Sequence, residues 1–401
     1  MQVCEICGII KYQLNNSDIK GVSKMKEAVF GKLGIIAMKG CEEFANSVDN
    51  YLRERRGTNE SYLVEVDCPR FGSGEAKGLL KQSVRGLDIM IICDPFNYGV
   101  TYKMRGSDIP MTPDEHFADL KRIVGAIEGK ARRISVIMPM LYEGRQHKRT
   151  NRESLDCAMM LRELEFYGVK NFITFDAHDD RVQNAVPLIG FDNYRPTYQM
   201  VKALVQAVPD ISFDKDQLII ISPDEGAMGR CMFFSSVAGI DVGMFYKRRD
   251  YSRIVNGKNP IVAHEYLGKD LDGKDVIIVD DMISSGDSLF DVAKQIKKRG
   301  AKRIFNFATF GLFTNGLECF DKAYEEGIID KIFTTNLIYN DPELANKPWY
   351  VEVNMCKYVS YIIDTLNHDE SISLILDPVK KIHALIDKHT AELGGQLKID
   401  F

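Results

Sequence analysis

The sequence predicts an α/β protein of two domains, each a mainly parallel sheet flanked by helices. Three observations lead there. Short apolar runs rich in Val, Ile and Phe alternate with longer amphipathic stretches, the pattern of buried strands joined by crossover helices. A strand, loop, helix, strand unit occurs twice. The length of 401 residues exceeds what one compact core usually holds.

The clearest unit covers residues 275–310. Residues 276–279 read as a buried strand, and Leu289, Val292, Ala293 and Ile296 then fall at i, i+3, i+4 and i+7, which gives a helix with one apolar stripe. Lys297, Lys298, Arg299 and Gly300 form a helix stop, and residues 304–310 supply the next strand. The earlier unit has strand 134–138, a polar loop at 143–152, helix 155–166 stopped at Gly168, and strand 172–175. Further strands are expected at 34–38, 88–93, 217–221 and 242–246. A Gly and a Pro bracket a polar turn at 191–196, which sets the expected domains at 33–192 and 193–365. An extension, 1–32, precedes them, and a segment with a helical tail, 366–401, follows.

Composition narrows the function classes. A net charge of −5 offers no global attraction to nucleic acid or anionic membranes, so neither is expected as a partner. No apolar run approaches the roughly 18 residues that span a bilayer, and the first eleven residues lack the marks of a signal peptide. A cytoplasmic address is expected. Nine cysteines without framework spacing read as reduced thiols, and the Cys4–Cys7 pair lacks a second close pair to complete a zinc site. An anionic substrate would have to be held locally. Arg145, His147, Lys148, Arg149 and Arg152 form one basic run, and Lys247, Arg248, Arg249, Arg253 and Lys258 another; each also reads plainly as a solvated face.

Residues 276–289 carry the most chemistry. A buried strand ends in Asp280 and Asp281, and a turn of Ser284, Ser285, Gly286 and Ser288 then opens a helix. Unpaired N–H groups at a helix start attract phosphate, and carboxylates at the strand end accept from vicinal sugar hydroxyls. The plainer alternative is that the acids begin a loop and Ser288 caps the helix.

This run resembles the phosphoribosyl diphosphate motif shared by type I phosphoribosyltransferases and phosphoribosyl diphosphate synthetases. Residues 83–93, 142–148, 175–184, 221–230, 246–250 and 367–373 look like synthetase segments in synthetase order. The resemblance to the ribose-phosphate diphosphokinase family covers about residues 33–375 and implies two type I phosphoribosyltransferase-like domains, the first binding ATP and the second ribose 5-phosphate. It implies transfer of the β,γ-diphosphate of ATP to the sugar, with Mg2+ as cofactor. By the same likeness Lys247 and Arg249 are the catalytic pair, at the start of a loop over about 248–263 whose Asn256-Gly257 and Pro260 fit a lid rather than a strand. Phe71, Ser73, Glu75, Arg145, Gln146 and His178 match nucleotide positions, and His178 with Asp224 matches the metal site. Asp280, Asp281, Ser284, Ser285, Gly286 and Ser288 match the sugar-phosphate site. In the family the Phe71 loop serves a neighbouring subunit, so a homo-oligomer with shared ATP sites is implied.

The chain departs from the family pattern where Ser284, Ser285, Gly286, Asp287 and Ser288 stand for Asp-Thr-Gly-Gly-Thr, and in an insertion at about 96–113. These departures admit a second reading, a non-catalytic relative that binds nucleotide or an active synthetase. A phosphoribosyltransferase acting on a base is a third; it would not need the Phe71 loop, the Arg145-Gln146 pair or His178.

Overall fold

The computed structural model describes residues 29–249 and 261–396. The first sheet has five parallel strands in chain order: Lys32–Ala37, Leu87–Ile92, Arg133–Ile137, Asn171–Phe175 and Gly190–Tyr194. The inner strands are mostly apolar because both faces are covered, whereas the edge strand Gly190–Tyr194 carries Asp192 and Asn193. Helices Pro113–Ile127 and Asp156–Phe166 cover one face through Leu120, Ile123, Leu161 and Leu164. The first of these starts in a capping box between Thr112 and Glu115. Helix Glu42–Arg56 packs on the other face with Ala45, Val48 and Leu52 buried.

The second sheet has seven strands in the order Ile261–Leu267, Asp241–Arg249, Leu218–Ser222, Asp275–Ile283, Arg303–Gly311, Lys331–Thr335 and Tyr350–Val353. All pairings are parallel except that of the edge strand Ile261–Leu267 with Asp241–Arg249. From the central pair Leu218–Ser222 and Asp275–Ile283 the chain winds outward in both directions, which opens a crevice at their carboxyl ends. Helix Asp287–Lys297 follows, with Leu289, Val292, Ala293 and Ile296 buried as the apolar stripe requires. Burying four such side chains contributes on the order of 5–8 kcal/mol before ordering costs.

One apolar core joins the two halves. It holds Ile35, Met90 and Ile173 from the first sheet, Ile220, Ile277 and Phe307 from the second, and Val359, Ile362 and Ile363 from helix Cys356–Asn367. That helix ends the second half in sequence yet packs on Glu42–Arg56 of the first, where Arg55 and Arg56 both bind Asp364. Asn367 donates to Gly31 and to buried Asp88.

Several expected elements differ in extent. The strand expected at 276–279 runs from Asp275 to Ile283, so Asp280 and Asp281 lie inside it, because parallel pairing to Arg303–Gly311 continues past them. The stretch 191–196 read as a turn holds most of strand Gly190–Tyr194, whose backbone completes the edge of the first sheet. Around the expected lid, Arg248 pairs with Ala263 and, after a register shift, Arg249 pairs with Ile261. Residues 250–260 of that lid, residues 1–28 of the extension, and with them Cys4 and Cys7, lie outside the described residues. The insertion forms a two-stranded ribbon, Thr101–Met104 with Ser107–Pro110. Helix Val379–Gln396 occupies the expected tail.

Candidate active site

The crevice at the strand switch is a cleft of 540 Å³. Its floor is the carboxyl end of Asp275–Ile283, with Asp280 and Asp281, and its rim is the turn Ser284–Gly286 with Ser288 at the start of the following helix. Gly286 adopts φ +89°, and a Cβ there would lie 2.7 Å from Phe320 and 2.8 Å from Phe290. Only glycine fits this position. The turn is fixed from behind, where Thr314 N–H donates to the Ser284 carbonyl at 3.0 Å.

Opposite the turn, Pro223, Asp224, Glu225, Gly226 and Ala227 follow strand Leu218–Ser222. Asp224 Oδ1 accepts from Gly226 N at 2.9 Å and Ala227 N at 3.2 Å, a local turn that fixes the carboxylate. Arg145 and His178 reach in from the first sheet. Both also line an adjoining cleft of 180 Å³ walled by Phe96, Met140, Tyr142, Phe175 and Phe310. Arg145 is exposed and has no acidic partner within ion-pair distance among the described residues, so its guanidinium is available to an anion spanning the two spaces.

The electrostatic centre is Arg230, in the first turn of helix Met228–Ala238. Its side chain is 10% exposed and lies 3.2 Å from Asp176, 3.7 Å from Asp280 and 3.7 Å from Asp281. Burial works against its charge, but the three carboxylates outweigh that and hold the guanidinium above its ordinary range. Asp176 also accepts from Thr309 Oγ1 at 2.7 Å, and its backbone sits at φ +41°. His178 Nδ1–H donates to Asp281 Oδ2 at 2.6 Å. That hydrogen bond raises the imidazole above its usual range against the opposing effect of burial. Burial alone would lift Asp281, yet His178 and Arg230 hold it below the usual carboxylate range, while burial and the neighbouring Asp281 charge lift Asp280.

Of the sequence-derived residues, Arg145, His178, Asp224, Asp280, Asp281, Ser284, Ser285, Gly286 and Ser288 share this one space. Lys247 and Arg249 stand in strand Asp241–Arg249, one and three residues after Tyr246, which lines the cleft. Gln146 is elsewhere. Its amide donates to Glu153 at 3.0 Å and to the Ser154 carbonyl at 2.9 Å, closing its own loop. Phe71, Ser73 and Glu75 lie outside the cleft lining, with Phe71 54% exposed and Ser73 bonded to Glu75 at 2.9 Å. Sequence reasoning assigned no role to Arg230, Asp176 or Asn306. Asn306 lines the cleft with its buried Oδ1 unpaired among the described residues, and nothing in its local pattern marks it.

A profile of the N-terminal domain of ribose phosphate pyrophosphokinase matches residues 33–168, and one of the phosphoribosyl synthetase-associated domain matches residues 252–377. The chain belongs to the ribose-phosphate pyrophosphokinase family. Among curated members of this enzyme family, a ribose-phosphate pyrophosphokinase of Ureaplasma parvum is 27% identical over 311 residues, covering 77% of this chain and 84% of that one. One from Vibrio cholerae is 25% identical over 322 residues, covering 79% and 92%. The crystal structure of phosphoribosylpyrophosphate synthetase from Mycobacterium smegmatis superposes with a TM-score of 0.68 at 18% identity, covering 84% of this chain and 99% of that one. This last likeness establishes the fold. Among the described residues no helix is long and apolar enough to cross a membrane.

Proposed function

We propose that this chain transfers the β,γ-diphosphate of ATP to the 1-hydroxyl of ribose 5-phosphate, giving phosphoribosyl diphosphate and AMP. One observation carries the reading: the sugar-phosphate turn, the acid pair, Asp224, His178 and the unpaired Arg145 all open onto a single cleft at the strand switch. The 5-phosphate fits the helix start at Ser284–Ser288, where N–H groups and hydroxyls converge. Asp287 does not block it. Its carboxylate lies outside the cleft lining and accepts from Ser285 at 2.9 Å.

In the proposed step the sugar O1 attacks the β-phosphorus of ATP. A new P–O bond forms at C1, the bond from the β-phosphorus to the α,β-bridging oxygen breaks, AMP leaves with that oxygen, and the hydroxyl proton passes to solvent. Arg145, Lys247 and Arg249 are assigned to the charge of the polyphosphate. Positioning and electrostatics supply most of the catalysis in such transfers. ATP spans from Arg145 toward the adjoining apolar-walled cleft, and a second copy of the chain would bring its Phe71 loop to the nucleotide. The exposure of Phe71 supports this shared site.

Mg2+ is the cofactor in this reading. Asp224 and His178 line one space, and among the described residues no group of three or more such side chains forms a closed cage. That donor set suits an ion that keeps several waters and takes its remaining ligands from phosphate. Asp224 and the Nε2 atom of His178 would hold the ion, which would offset phosphate charge.

The test is a purified-protein assay with ATP, ribose 5-phosphate and Mg2+. AMP and phosphoribosyl diphosphate should appear in equal amounts, and Lys247→Ala with Arg249→Ala should abolish turnover while leaving the melting curve intact. ATP binding without AMP release would favour the non-catalytic relative, and nucleotide formation from added base and preformed phosphoribosyl diphosphate would favour a transferase.

A further inference from the structure

The two acids at the floor of the cleft differ in what they touch. The Asp281 side chain is 5% exposed and the Asp280 side chain 31%. Asp281 Oδ2 receives the His178 Nδ1–H at 2.6 Å and lies 3.7 Å from Arg230. Asp280 lies at the same 3.7 Å from Arg230 but turns Oδ1 back to the Asp281 N–H at 2.9 Å and keeps its partial exposure toward the cleft.

The His178 contact crosses between the two sheets and is built from several directions. Asp176, two residues earlier, is anchored at 2.7 Å to Thr309 of the second sheet and at 3.2 Å to Arg230 of helix Met228–Ala238. Ala177 N–H donates to Asn193 at 3.1 Å, and the His147 ring lies 5.4 Å from the His178 ring. An imidazole held at Nδ1 by a carboxylate presents Nε2 in one fixed direction and one tautomer. For Asp281 to turn to a sugar, it would have to give up its charge-assisted bond to His178, a loss that Asp280 does not face.

Resting on the function proposed above, we propose that Asp281 is a positioning residue that orients His178 across the domain junction, and that Asp280 is the member of the pair that meets the vicinal hydroxyls of the ribose. The acid pair thus divides its work between substrate and scaffold.

The experiment uses full-length protein with 15N-labelled histidine. In the wild type one imidazole should show a Nδ1-bound, exchange-protected proton far downfield, lost in His178→Gln. Asp281→Asn should abolish that signature and leave calorimetric affinity for ribose 5-phosphate within about threefold, because the sugar keeps its Asp280 contact. Asp280→Asn should keep the signature and weaken ribose 5-phosphate by about 10- to 100-fold. In turnover, Asp281→Asn should lower kcat without raising KM for the sugar, and the double variant with His178→Gln should be no worse than His178→Gln alone. The proposal is overturned if Asp281→Asn weakens the sugar as much as Asp280→Asn, or if wild-type His178 lacks a Nδ1-bound proton. The second criterion needs no folded Asp281 variant. Should the wild type form no phosphoribosyl diphosphate, the transfer reading fails, while the histidine signature still decides whether Asp281 positions His178.

Discussion

Replacing Arg230 with Met should damage stability more than any other single change in the cleft. The guanidinium is 10% exposed and faces three carboxylates at 3.2, 3.7 and 3.7 Å. At an effective dielectric near 20, each attraction at 3.7 Å is worth about 4.5 kcal/mol before desolvation. The net effect is smaller, because burying the arginine already offsets much of that gain. What decides the cost is the state left behind, with Asp176 buried beside only the Thr309 hydroxyl and Asp281 left to His178 alone, and removing one partner of such a cluster costs about 3–5 kcal/mol. For a chain of 401 residues, with an unfolding entropy of about 2.1 cal/mol/K per residue, that corresponds to a melting temperature lower by roughly 4–6 °C. Arg230→Lys keeps a charge but loses the fork, so its loss should be about half as large. Thermal melting by circular dichroism at pH 7 measures both. The deficit of Arg230→Met should shrink toward pH 4, where the stranded carboxylates can protonate. A melting temperature within about 2 °C of wild type at pH 7 would refute the argument that Arg230 compensates buried charge.

Other changes probe the turn, the domain contact and the charge departure. Asp287→Ala removes an acid beside the phosphate turn and frees Ser285, so KM for ribose 5-phosphate should fall about two- to fivefold; an unchanged or raised KM counts against that placement. Gly286→Ala forces a side chain onto φ +89° and into Phe290 and Phe320, and should cost about 1–3 kcal/mol with at least tenfold weaker sugar-phosphate binding by calorimetry. Asp94 is buried where it accepts from Phe96 N at 2.9 Å and, across the domain junction, from Tyr339 N at 2.7 Å. Burial pushes its carboxyl up to about 6, from 3.8. The folded state therefore keeps this proton longer than the unfolded chain, so its contribution is full below pH 3.8 and is lost as pH rises through 6, by about 3 kcal/mol. Asp94→Asn loses an acceptor and stays neutral at every pH, so its deficit in urea midpoint should be larger at pH 4 than at pH 7; parallel pH curves would contradict this.

The fold was legible where strands are buried on both faces. Residues 89–93, 136–138 and 276–279 are apolar runs with amphipathic helices between them, which a parallel sheet covered on both faces buries. Of the edges of the first sheet, Lys32–Ala37 was legible at 34–38, but Gly190–Tyr194 was not: it contains Asp192 and Asn193 and looks like a turn until its neighbour Asn171–Phe175 is in place. Within the site, the turn Ser284–Ser288 could be read from local chemistry alone. Arg230 could not, since Asp176, Asp280 and Asp281 reach it from the ends of two different strands. The loop contacts of Gln146 were not legible either, as its side chain is engaged by Glu153 and Ser154 only eight residues away or fewer. The link between His178 and Asp281 spans 103 residues of sequence and exists only because the two sheets share a core.

The central claim is that the sugar O1 attacks the β-phosphorus in the cleft. It is tested most directly with ribose 5-phosphate carrying 18O at C1, incubated with ATP, Mg2+ and the purified chain. Mass spectrometry and 31P NMR should find the label in the C1–O–P bridge of phosphoribosyl diphosphate and none in AMP. Label in AMP, or a product with a single transferred phosphoryl group and ADP in place of AMP, would contradict the account.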